Sequence, residues 1–243
     1  MRSRSRCWPL ARGDVMRVFW LEQTAADVPP EDDWLGPGEK ETLSRLRFAR
    51  RRADWRLGRR TAKQAVSAYL NAKYSLPDIE IRAAASGAPE VFIRQQPAGV
   101  AISLSHRSGT AACAVAPIGT AIGCDLELEE ERSDGFVADF FTEREQALVP
   151  SLPGHPRNQM VTLIWSAKES ALKAVREGLR LDTRFITIAP GNGPGPWHPL
   201  RVLFPACTFH GWWMQRGNLV RTLVTSPDAP PPIVRMQVAS EAK

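Results

Sequence analysis

The sequence predicts an α+β protein built from two similar lobes, each with a helix packed on an antiparallel sheet. Short apolar stretches that alternate with polar residues, typical of strands, occur in both halves of the chain. Two long stretches, residues 39–73 and 157–176, have apolar residues at helical spacing. The turn at residues 117–119 separates halves that each run from strand and helix into a final series of strands, which indicates two lobes. No repeat in the sequence itself proves a duplication.

The order of the elements divides the chain into four segments. Residues 1–14 are predicted to form a disordered basic extension, 15–118 the first lobe, 119–225 the second lobe and 226–243 a frayed, proline-rich tail. Strands are predicted at 15–21, 91–93, 100–104, 110–116, 122–128, 186–188, 202–204, 208–214 and 219–225. Helices are predicted at 39–73 with a break near Asp54 or Gly58, at 136–148, and at 157–176. Thr142 and Glu145 have the spacing of a capping box.

Composition and length exclude several classes of protein. The 243 residues are 43% hydrophobic, enough for a core in one large domain or two lobes. No uninterrupted apolar run reaches the roughly 18–20 residues of a membrane helix, and residues 1–12 lack the apolar region of a signal peptide. The four cysteines, Cys7, Cys113, Cys124 and Cys207, include no pair at CxxC spacing, which disfavours a zinc site or a disulfide framework. We therefore expect a cytoplasmic protein without membrane association.

Positive charge is concentrated in the first half of the chain. Residues 1–120 contain 19 Lys and Arg against 12 Asp and Glu, a net charge of +7, whereas residues 121–243 contain 13 against 14, a net charge of −1. Eight arginines lie within residues 45–60. Such a field predicts an anionic partner: a phosphorylated ligand, an acidic protein or a nucleic acid. Trp55, among these arginines, either stacks on a base or belongs to the core, and the core is the more common place for tryptophan.

Two short motifs carry most of the functional signal. Residues 123–127 read Gly-Cys-Asp-Leu-Glu, and on a strand Asp125 and Glu127 project from the same face. Residues 165–173 read Trp-Ser-Ala-Lys-Glu-Ser-Ala-Leu-Lys, and on a helix Trp165, Glu169 and Lys173 lie along one stripe. Three carboxylates and one lysine can thus meet in a single cleft. That is the ligand set for a hard cation such as Mg²⁺ held against a phosphate.

Each motif also has a purely structural interpretation. Asp125 and Glu127 begin a run of acids that can simply face solvent, although an apolar strand is a costly place for unpaired carboxylates. Glu169 and Lys173 have the i,i+4 spacing of a surface ion pair worth about 0.3–0.5 kcal/mol. A metal explains both motifs together. By themselves, the residues also allow a hydrolase, a kinase-like site or a set of surface ion pairs.

Ser105 and His106 end a predicted strand just before Gly109. The surroundings of Ser105 do not form a nucleophile elbow, which disfavours a Ser–His–Asp hydrolase. A lone histidine is more often structural than catalytic, but a hydroxyl and an imidazole at a strand end can also donate to a phosphate. The chain contains no P-loop and no GxGxxG motif, which disfavours a nucleotide-driven kinase or a dinucleotide enzyme.

Together these motifs resemble the 4′-phosphopantetheinyl transferases, of the larger pseudodimeric type that activates surfactin-like synthetases. The family pattern Gly-x-Asp-x-Glu, followed further along by Trp-x-x-Lys-Glu-(Ser/Ala)-x-x-Lys, is complete at residues 123–127 and 165–173. The family's Ser-His pair stands here at Ser105-His106, and its Gly-Arg pair at Gly58-Arg59. The resemblance spans residues 15–225 and implies that the two lobes form an intramolecular pseudodimer with the fold of that family.

The sequence departs from the family at one position. Where the family often has Gly-Lys-Pro, residues 87–89 read Gly-Ala-Pro. The lysine helps to hold coenzyme A in relatives. Because Ala88 cannot make this contact, the resemblance implies that nearby arginines make it instead.

The resemblance implies a Mg²⁺-dependent reaction of the holo-[acyl-carrier-protein] synthase type, in which Mn²⁺ can replace Mg²⁺. A serine hydroxyl of an apo-carrier protein attacks the β-phosphorus of coenzyme A, giving holo-carrier protein and 3′,5′-ADP. Asp125, Glu127 and Glu169 are then the metal ligands. Glu169 and Lys173 are the expected catalytic residues: Glu169 as the base, and Lys173 as the group that stabilises the pyrophosphate or the leaving group.

The resemblance also implies how coenzyme A and the carrier protein are recognised. The expected coenzyme A ligands are Ser105 and His106 for its phosphates, Lys173 for the pyrophosphate oxygens, and Arg52 and Arg59 for the 3′-phosphate, with Arg47 as a weaker candidate. The expected partner is an acidic acyl or peptidyl carrier protein attracted by the basic first half. Neither nucleic acid nor membrane is an expected partner, and a pseudodimer predicts a monomer. The alternatives are a metal-dependent phosphohydrolase acting on coenzyme A or nucleotides, and a basic nucleic-acid-binding protein.

Overall fold

The computed structural model describes residues 16–149, 156–177 and 181–235, and it confirms the α+β class. The helices are α1 (Pro37–Arg45), α2 (Ala49–Tyr69), α3 (Asp134–Phe140), α4 (Glu143–Leu148) and α5 (Arg157–Val175). The strands are β1 (Phe19–Thr24), β2 (Ile79–Ala83), β3 (Pro89–Ile93), β4 (Gln96–Pro97), β5 (Val100–Arg107), β6 (Thr110–Pro117), β7 (Ala121–Leu128), β8 (Thr187–Pro190), β9 (His198–Leu203), β10 (Thr208–Arg216), β11 (Leu219–Ser226) and β12 (Ile233–Arg235). The extension predicted for residues 1–14 lies outside the described residues, as does the end of the predicted tail.

These strands form three sheets. A four-stranded sheet has the order β12-β1-β6-β5, in which β12 runs parallel to β1 and the other neighbours are antiparallel. A five-stranded sheet has the order β7-β11-β10-β9-β8 and is antiparallel throughout. A small third sheet joins β2, β3 and β4. Hairpins such as β5–β6 and β10–β11 supply the antiparallel strand series that the sequence predicts for each half.

Each large sheet is covered by one long helix. Helix α2 packs on β1 and β6 through small residues that include Ala62, Ala65 and Val66. Helix α5 packs on β7 and β11, with Ala167 and Ala171 fully buried at the contact. Small side chains let a helix axis approach a sheet closely while apolar area is still removed from water. Each half therefore has the predicted arrangement of a helix on a largely antiparallel sheet.

Gly123 shows why the strand motif begins with glycine. A Cβ atom at this position would lie 1.8 Å from the carbonyl oxygen of Ser170 and 2.7 Å from the amide nitrogen of Ala174. Both atoms belong to the backbone of α5, so no larger residue fits without moving the helix. Because side chains alternate along a strand, Asp125 lies on the same face as Gly123 and also faces α5.

The two lobes meet where the edge strands β5 and β7 come together. Ser103 Oγ accepts a hydrogen bond from the amide of Cys124 at 2.9 Å, and Ser105 Oγ accepts one from the amide of Leu126 at 3.2 Å. Serine hydroxyls thus satisfy backbone donors that an edge strand would otherwise leave unpaired. The lobes also share an apolar core, which includes Trp20 of the first lobe and Leu223 of the second.

A buried ion pair links three elements of the first lobe. Glu39, near the start of α1, pairs with Lys63 of α2, whose side chain is fully buried. The same carboxylate accepts hydrogen bonds from the amide of Gly36 at 3.1 Å and the amide of Ile81 at 3.1 Å. One glutamate therefore caps a short helix, pairs with the long helix and binds strand β2.

The second lobe contains the same arrangement. Glu145, near the start of α4, lies 2.8 Å from the fully buried Lys168 of α5. Its carboxylate accepts from the amide of Thr142 at 2.7 Å, which completes the predicted capping box, and from the amide of Ile188 on β8 at 2.7 Å. Equivalent contacts at equivalent elements support the prediction of two similar lobes, which the sequence did not reveal as a repeat.

Some element boundaries differ from the sequence-based prediction. The first helical stretch breaks between α1 and α2 at residues 46–48, and not near Asp54 or Gly58, because Leu46 and Phe48 are extended. No glycine or proline marks this break in the sequence. The stretch predicted at 136–148 is two short helices, α3 and α4, separated by the extended Phe141.

The ends of the first sheet also differ from expectation. Strand β1 begins at Phe19, later than predicted, and continues to Thr24. Strand β2, which the sequence pattern did not indicate, follows α2 and pairs with β3. Within the predicted tail, Ile233 and Val234 form part of β12 and pair with Phe19 and Trp20.

No helix of the described ranges is both long and apolar enough to cross a membrane.

Candidate active site

Asp125 lies on β7 at the contact between the lobes, and its side chain is buried. Its Oδ1 accepts hydrogen bonds from Ser105 Oγ at 2.8 Å and from Lys173 Nζ at 2.8 Å. Its Oδ2 accepts from Ser166 Oγ at 2.9 Å. Residues of β5 and α5 therefore converge on one carboxylate of β7. This confirms the spatial meeting of Asp125 and Lys173 that the two motifs predict.

Lys173 is held as a cation at this point. Its Nζ also donates to the carbonyl oxygen of Cys124 at 3.0 Å. Burial alone acts to lower the pKa of Lys173, but the negative charge of Asp125 and its hydrogen bond, assisted by Glu169, outweigh burial and raise it. The ammonium group is therefore charged at neutral pH and available to a negatively charged ligand.

Glu127 is bound by two arginines that the sequence did not indicate as site residues. Its Oε2 lies 3.4 Å from Nε of Arg107 and 3.6 Å from Nη2 of Arg132. Within the described part of the chain, Glu127 Oε2, Arg107 Nε and Arg132 Nε are buried polar atoms without a hydrogen-bond partner. The Arg132 guanidinium also lies 4.7 Å from the ring centre of Phe136 and 5.8 Å from that of Trp165. Cation–π contact thus holds Arg132 beside Glu127.

Burial and the neighbouring negative charges raise the pKa values of Glu127 and Glu169. Burial, followed by the negative charge of Asp125, raises the pKa of Glu169, and Glu127 adds to the effect while Lys173 opposes it. Burial and the charge of Asp125 also raise the pKa of Glu127. Like charges close together disfavour simultaneous ionisation. The three acids of the two motifs therefore form one coupled electrostatic unit.

The predicted metal ligands do not form a preformed cage. No group of three or more His, Cys, Asp and Glu side chains is arranged to hold a metal ion in residues 16–149, 156–177 and 181–235. The physical reason is that Asp125 is already paired with Lys173 and Glu127 with arginines. The donor chemistry still suits a divalent cation, because Glu127 Oε2 is buried without a hydrogen-bond partner and two of the three carboxyl groups have raised pKa values.

A cleft of about 830 Å³ opens between the lobes beside Lys173. Its cationic lining consists of Arg50, Arg51, Arg59, Arg82, Lys173 and Arg176. The carboxylate that lines it is Asp54, which lies 4.0 Å from Arg50. The volume is in the range of small-molecule sites, and a wall of cationic side chains favours an anionic ligand.

Four of the residues predicted to bind coenzyme A line this cleft: Arg59, Ser105, His106 and Lys173. His106 is exposed at the end of β5. Arg59 donates to the carbonyl oxygen of Ile81 at 2.7 Å, which fixes its guanidinium on the cleft wall. Burial lowers the pKa of Arg59, and the charge of Glu39 opposes the shift. The Ser105 hydroxyl is used in the bonds to Asp125 and Leu126, so its contact to a ligand stays a prediction.

Arg52 does not line this cleft, so its binding of the 3′-phosphate stays a prediction. Its Nη1 donates to the carbonyl oxygens of Leu43 at 2.7 Å and Leu46 at 3.3 Å. These are carbonyl groups at the end of α1 that have no partner within the helix. Arg52 therefore caps α1 and supports the break before α2. Arg47, the weaker candidate, is exposed and does not line the cleft either.

The position that lacks the family lysine is on the cleft wall. Ala88 lines the cleft, and Arg82 of the adjacent strand β2 lines it as well. The Arg82 guanidinium lies 4.1 Å from the ring centre of Phe92 and binds Glu80 at 2.5 Å. A guanidinium is thus present on the same side of the cleft as the missing lysine.

Several arginines of residues 45–60 serve the fold. Arg45 pairs with Glu41 at 2.5 Å, and Arg56 binds Asp32 at 2.8 Å together with carbonyl groups of residues 29–31. Arg52 caps α1, so the arginines of residues 45–60 include several with different structural roles.

Ser166 and Thr222 extend the site beyond the predicted residues. Ser166 Oγ, which donates to Asp125, lies 2.9 Å from Thr222 Oγ1, and Ser170 Oγ lies 2.7 Å from the same atom. Thr222 is the partner of Asp125 in the register of β7 and β11. The i,i+4 spacing of Ser166 and Ser170 on α5 was the available sequence signal. The contribution of Thr222 required the strand register.

The part of the chain that contains both motifs is similar to known proteins. Residues 121–215, which contain both motifs, match the sequence model of the family described as "4′-phosphopantetheinyl transferase superfamily". A curated relative, the 4′-phosphopantetheinyl transferase HetI of Nostoc sp., is 28% identical over 173 residues, which are 70% of this chain and 72% of the relative.

Solved structures of smaller proteins are also similar in part. A holo-(acyl-carrier-protein) synthase from Bacillus anthracis in complex with CoA (3′,5′-ADP) is 20% identical, with a TM-score of 0.37, and the match covers 43% of this chain and 97% of that one. The Helicobacter pylori holo-[acyl-carrier-protein] synthase in complex with coenzyme A is 18% identical, with a TM-score of 0.29, over 40% of this chain and 96% of that one.

The strand–helix site and the sequence matches define a class. Residues 121–215, with Asp125, Glu127, Glu169 and Lys173 among them, carry the match to the 4′-phosphopantetheinyl transferase superfamily. The resemblance stated for the two motifs is therefore confirmed at the level of the superfamily.

Proposed function

We propose that this protein transfers the 4′-phosphopantetheine arm of coenzyme A to a serine of an apo acyl or peptidyl carrier protein, giving holo-carrier protein and 3′,5′-ADP. The superfamily match of residues 121–215 and the similarity to a 4′-phosphopantetheinyl transferase support this assignment. The observation that carries it is the position of Lys173, which is paired with Asp125 and lines a cationic cleft. A reactive cluster of this kind is suited to phosphoryl chemistry on an anionic co-substrate.

In this proposal, the cleft binds the phosphates of coenzyme A. Arg59 and His106 are placed to donate to phosphate oxygens, because both line the cleft from the first lobe. Lys173 supplies a positive charge on the opposite side, from α5. The charges from both lobes would position the pyrophosphate between them, where developing negative charge is stabilised without rearrangement of solvent.

Mg²⁺ is part of the proposal, with Mn²⁺ as a substitute. Asp125, Glu127 and Glu169 would hold it, once Lys173 and the arginines release the carboxylates that they now bind. When bound, the cation would neutralise charge on the pyrophosphate as the P–O bond breaks. Acceptance of a cation would also relieve the mutual repulsion that raises the pKa values of Glu127 and Glu169.

Glu169 is the proposed base. The carrier serine attacks the β-phosphorus of coenzyme A, a new P–O bond forms, and the bond to the 3′,5′-ADP leaving group breaks. The proton of the serine hydroxyl passes to the Glu169 carboxylate, directly or through water. The role is assigned from position: Glu169 lies one helical turn before Lys173 on α5, at the same site as the cation.

The carrier protein is expected to be acidic. The first half of the chain has a net charge of +7, which would accelerate encounter with a negatively charged partner. Added salt should therefore raise KM for the carrier protein more than kcat is reduced. Kinetics that are independent of salt would contradict electrostatic recruitment.

The test is incubation of the protein with an apo-carrier protein, coenzyme A and Mg²⁺, followed by intact-mass measurement of the carrier and chromatography of the small molecules. The proposal predicts that the carrier gains the mass of one phosphopantetheine arm and that 3′,5′-ADP appears in equal amount. A phosphohydrolase would release 3′,5′-ADP and free phosphopantetheine with no change in the carrier. That result would replace the proposed transfer with hydrolysis.

A further inference from the structure

Arg176 occupies a position that normally favours glycine. It follows the last turn of α5 with φ 60° and ψ 23°, the left-handed conformation that commonly ends a helix. A side chain with a Cβ atom is disfavoured there, and glycine is the usual residue. The amide of Arg176 donates to the carbonyl oxygen of Lys173 at 3.1 Å, a bond that glycine would make equally well. The local backbone therefore gives no reason for an arginine.

The location of the Arg176 side chain supplies a different reason. Within the described ranges, six non-glycine residues have positive φ: Asn71, Ala72, Arg94, Gln95, Ser108 and Arg176. Of these six, Arg176 is the one that lines the cleft beside Lys173. Residues held in disfavoured backbone conformations cluster at ligand sites, where the side chain has a function that offsets the cost.

The charge distribution of the cleft points to the same conclusion. Its arginines on the first-lobe side belong to α2 and β2, whereas Lys173 and Arg176 provide the positive charge on the second-lobe side. Lys173 is paired with Asp125 at 2.8 Å. Arg176 is exposed, and no ion pair to it occurs within the part of the chain that the structure describes. Its guanidinium is thus positioned to receive an anion from the cleft.

We propose that Arg176 is a substrate-binding residue whose guanidinium binds a phosphate group of the co-substrate in the cleft. This inference rests on the proposed function and adds a contact from the second lobe. The two phosphate sources on coenzyme A are the 3′-phosphate and the pyrophosphate. Guanidinium groups bind phosphate oxygens in pairs, so the contact would fix the orientation of the nucleotide as well as its affinity.

A structural role for Arg176 makes opposite predictions. A cation at the end of a helix can interact favourably with the helix dipole. In that case Arg176→Gly would lower the melting temperature and leave coenzyme A binding unchanged. If Arg176 binds substrate, Arg176→Gly removes both the backbone strain and a contact to phosphate. The melting temperature then stays the same or rises by about 2–4 °C, while coenzyme A binds roughly tenfold more weakly.

The chain offers a matched control in Arg94. It is also an arginine with positive φ (49°), but it does not line the cleft and pairs with Asp78 at the surface. Calorimetric titration of coenzyme A into wild type, Arg176→Gly, Arg176→Lys and Arg94→Gly should show a tenfold loss for Arg176→Gly alone. Arg176→Lys should show an intermediate loss, because an ammonium group keeps the charge but not the paired hydrogen bonds. In carrier modification, KM for coenzyme A should rise with kcat within about twofold of wild type.

Dephospho-coenzyme A distinguishes the two phosphate sources. If Arg176→Gly binds dephospho-coenzyme A as tightly as the wild type does, Arg176 binds the 3′-phosphate. If the variant still binds this ligand more weakly, Arg176 binds the pyrophosphate. Equal affinity of wild type and Arg176→Gly for both ligands would overturn the inference while leaving the proposed function intact. The same loss in Arg94→Gly would also overturn it. A wild-type protein that neither binds coenzyme A nor modifies a carrier would remove the proposed function itself.

Discussion

Lys173 Nζ lies 2.8 Å from Oδ1 of Asp125, and this contact joins helix α5 to strand β7 at the seam between the lobes. Ser105 donates to the same oxygen from β5 of the first lobe. The carboxylate that connects the two motifs is therefore also a contact between the lobes. A change in how the lobes pack would be transmitted directly to the candidate active site.

A comparison of Ser105→Ala with Ser103→Ala should distinguish the effect of this seam on stability from its effect on catalysis. Both hydroxyls accept a hydrogen bond from an amide of β7, but only Ser105 donates to Asp125. Each substitution should lower the free energy of unfolding by about 1 kcal/mol. Ser105→Ala should in addition reduce kcat for carrier modification by about 10- to 100-fold, because Asp125 loses a positioning donor. Equal kcat values in the two variants would contradict this role.

Glu169→Gln should stabilise the protein at neutral pH while abolishing transfer. The pKa of Glu169 is raised in the folded state, so the stability that this group contributes is complete below the unfolded pKa. It is lost as pH rises through the folded pKa. Removal of the charge should raise the melting temperature at pH 7 by about 1–3 °C, and the gain should vanish near pH 4. Thermal melts across pH measure this difference.

Glu90 on β3 is exposed and provides the control for that titration. Glu90→Gln should follow the stability profile of the wild type across the same pH range. A Glu169→Gln variant with a lower melting temperature at pH 7 would contradict the electrostatic coupling of the three carboxylates. Retained transfer activity would contradict the proposed role of Glu169.

The repeated buried ion pairs predict that Lys63 and Lys168 are equally important for stability. Each lysine is fully buried, and each pairs with a glutamate that also binds the amide of a following strand. Removal of one partner leaves a buried charge without compensation. Lys63→Met and Lys168→Met should therefore each lower the free energy of unfolding by about 3–5 kcal/mol. Urea denaturation measures this quantity, and a loss below about 1 kcal/mol in either variant would contradict the account.

Gly58 offers a test of the cleft that does not remove a charge. It lies in the middle of α2 and lines the cleft, and a Cβ atom there would meet no atom within 4 Å. Gly58→Ala should raise the free energy of unfolding by about 0.5–1 kcal/mol with little effect on binding. Gly58→Leu should extend into the cleft and weaken coenzyme A binding about tenfold without loss of stability. Unchanged binding by Gly58→Leu would place the co-substrate elsewhere.

The parts of the site that were predictable from sequence are those set by local periodicity. Alternation along β7 puts Asp125 and Glu127 on one face, and helical spacing puts Glu169 and Lys173 on one stripe of α5. The glycine at position 123 is explained by the close approach of β7 to α5, which leaves no room for a Cβ atom. The α+β class follows in the same way, because it depends on the type and order of elements rather than on their partners.

The other features depend on contacts between residues far apart in the chain. Arg107 and Arg132 reach Glu127 from β5 and from the segment after β7, and nothing in their own neighbourhood marks them. An arginine in an arginine-rich segment is a typical phosphate ligand, yet the guanidinium of Arg52 donates to a carbonyl oxygen at the end of α1. Strand β12 exists because β1 offers an unpaired edge, which local propensity does not encode.

The central claim is that the cluster around Asp125 performs phosphopantetheinyl transfer. The most direct measurement is the intact mass of an apo-carrier protein after incubation with coenzyme A, Mg²⁺ and either wild type or Asp125→Asn, with circular dichroism to verify that the variant is folded. The account predicts complete gain of one phosphopantetheine arm with wild type and, with Asp125→Asn, a rate lower by at least about 10²-fold. A folded Asp125→Asn variant that modifies the carrier at the wild-type rate would contradict it.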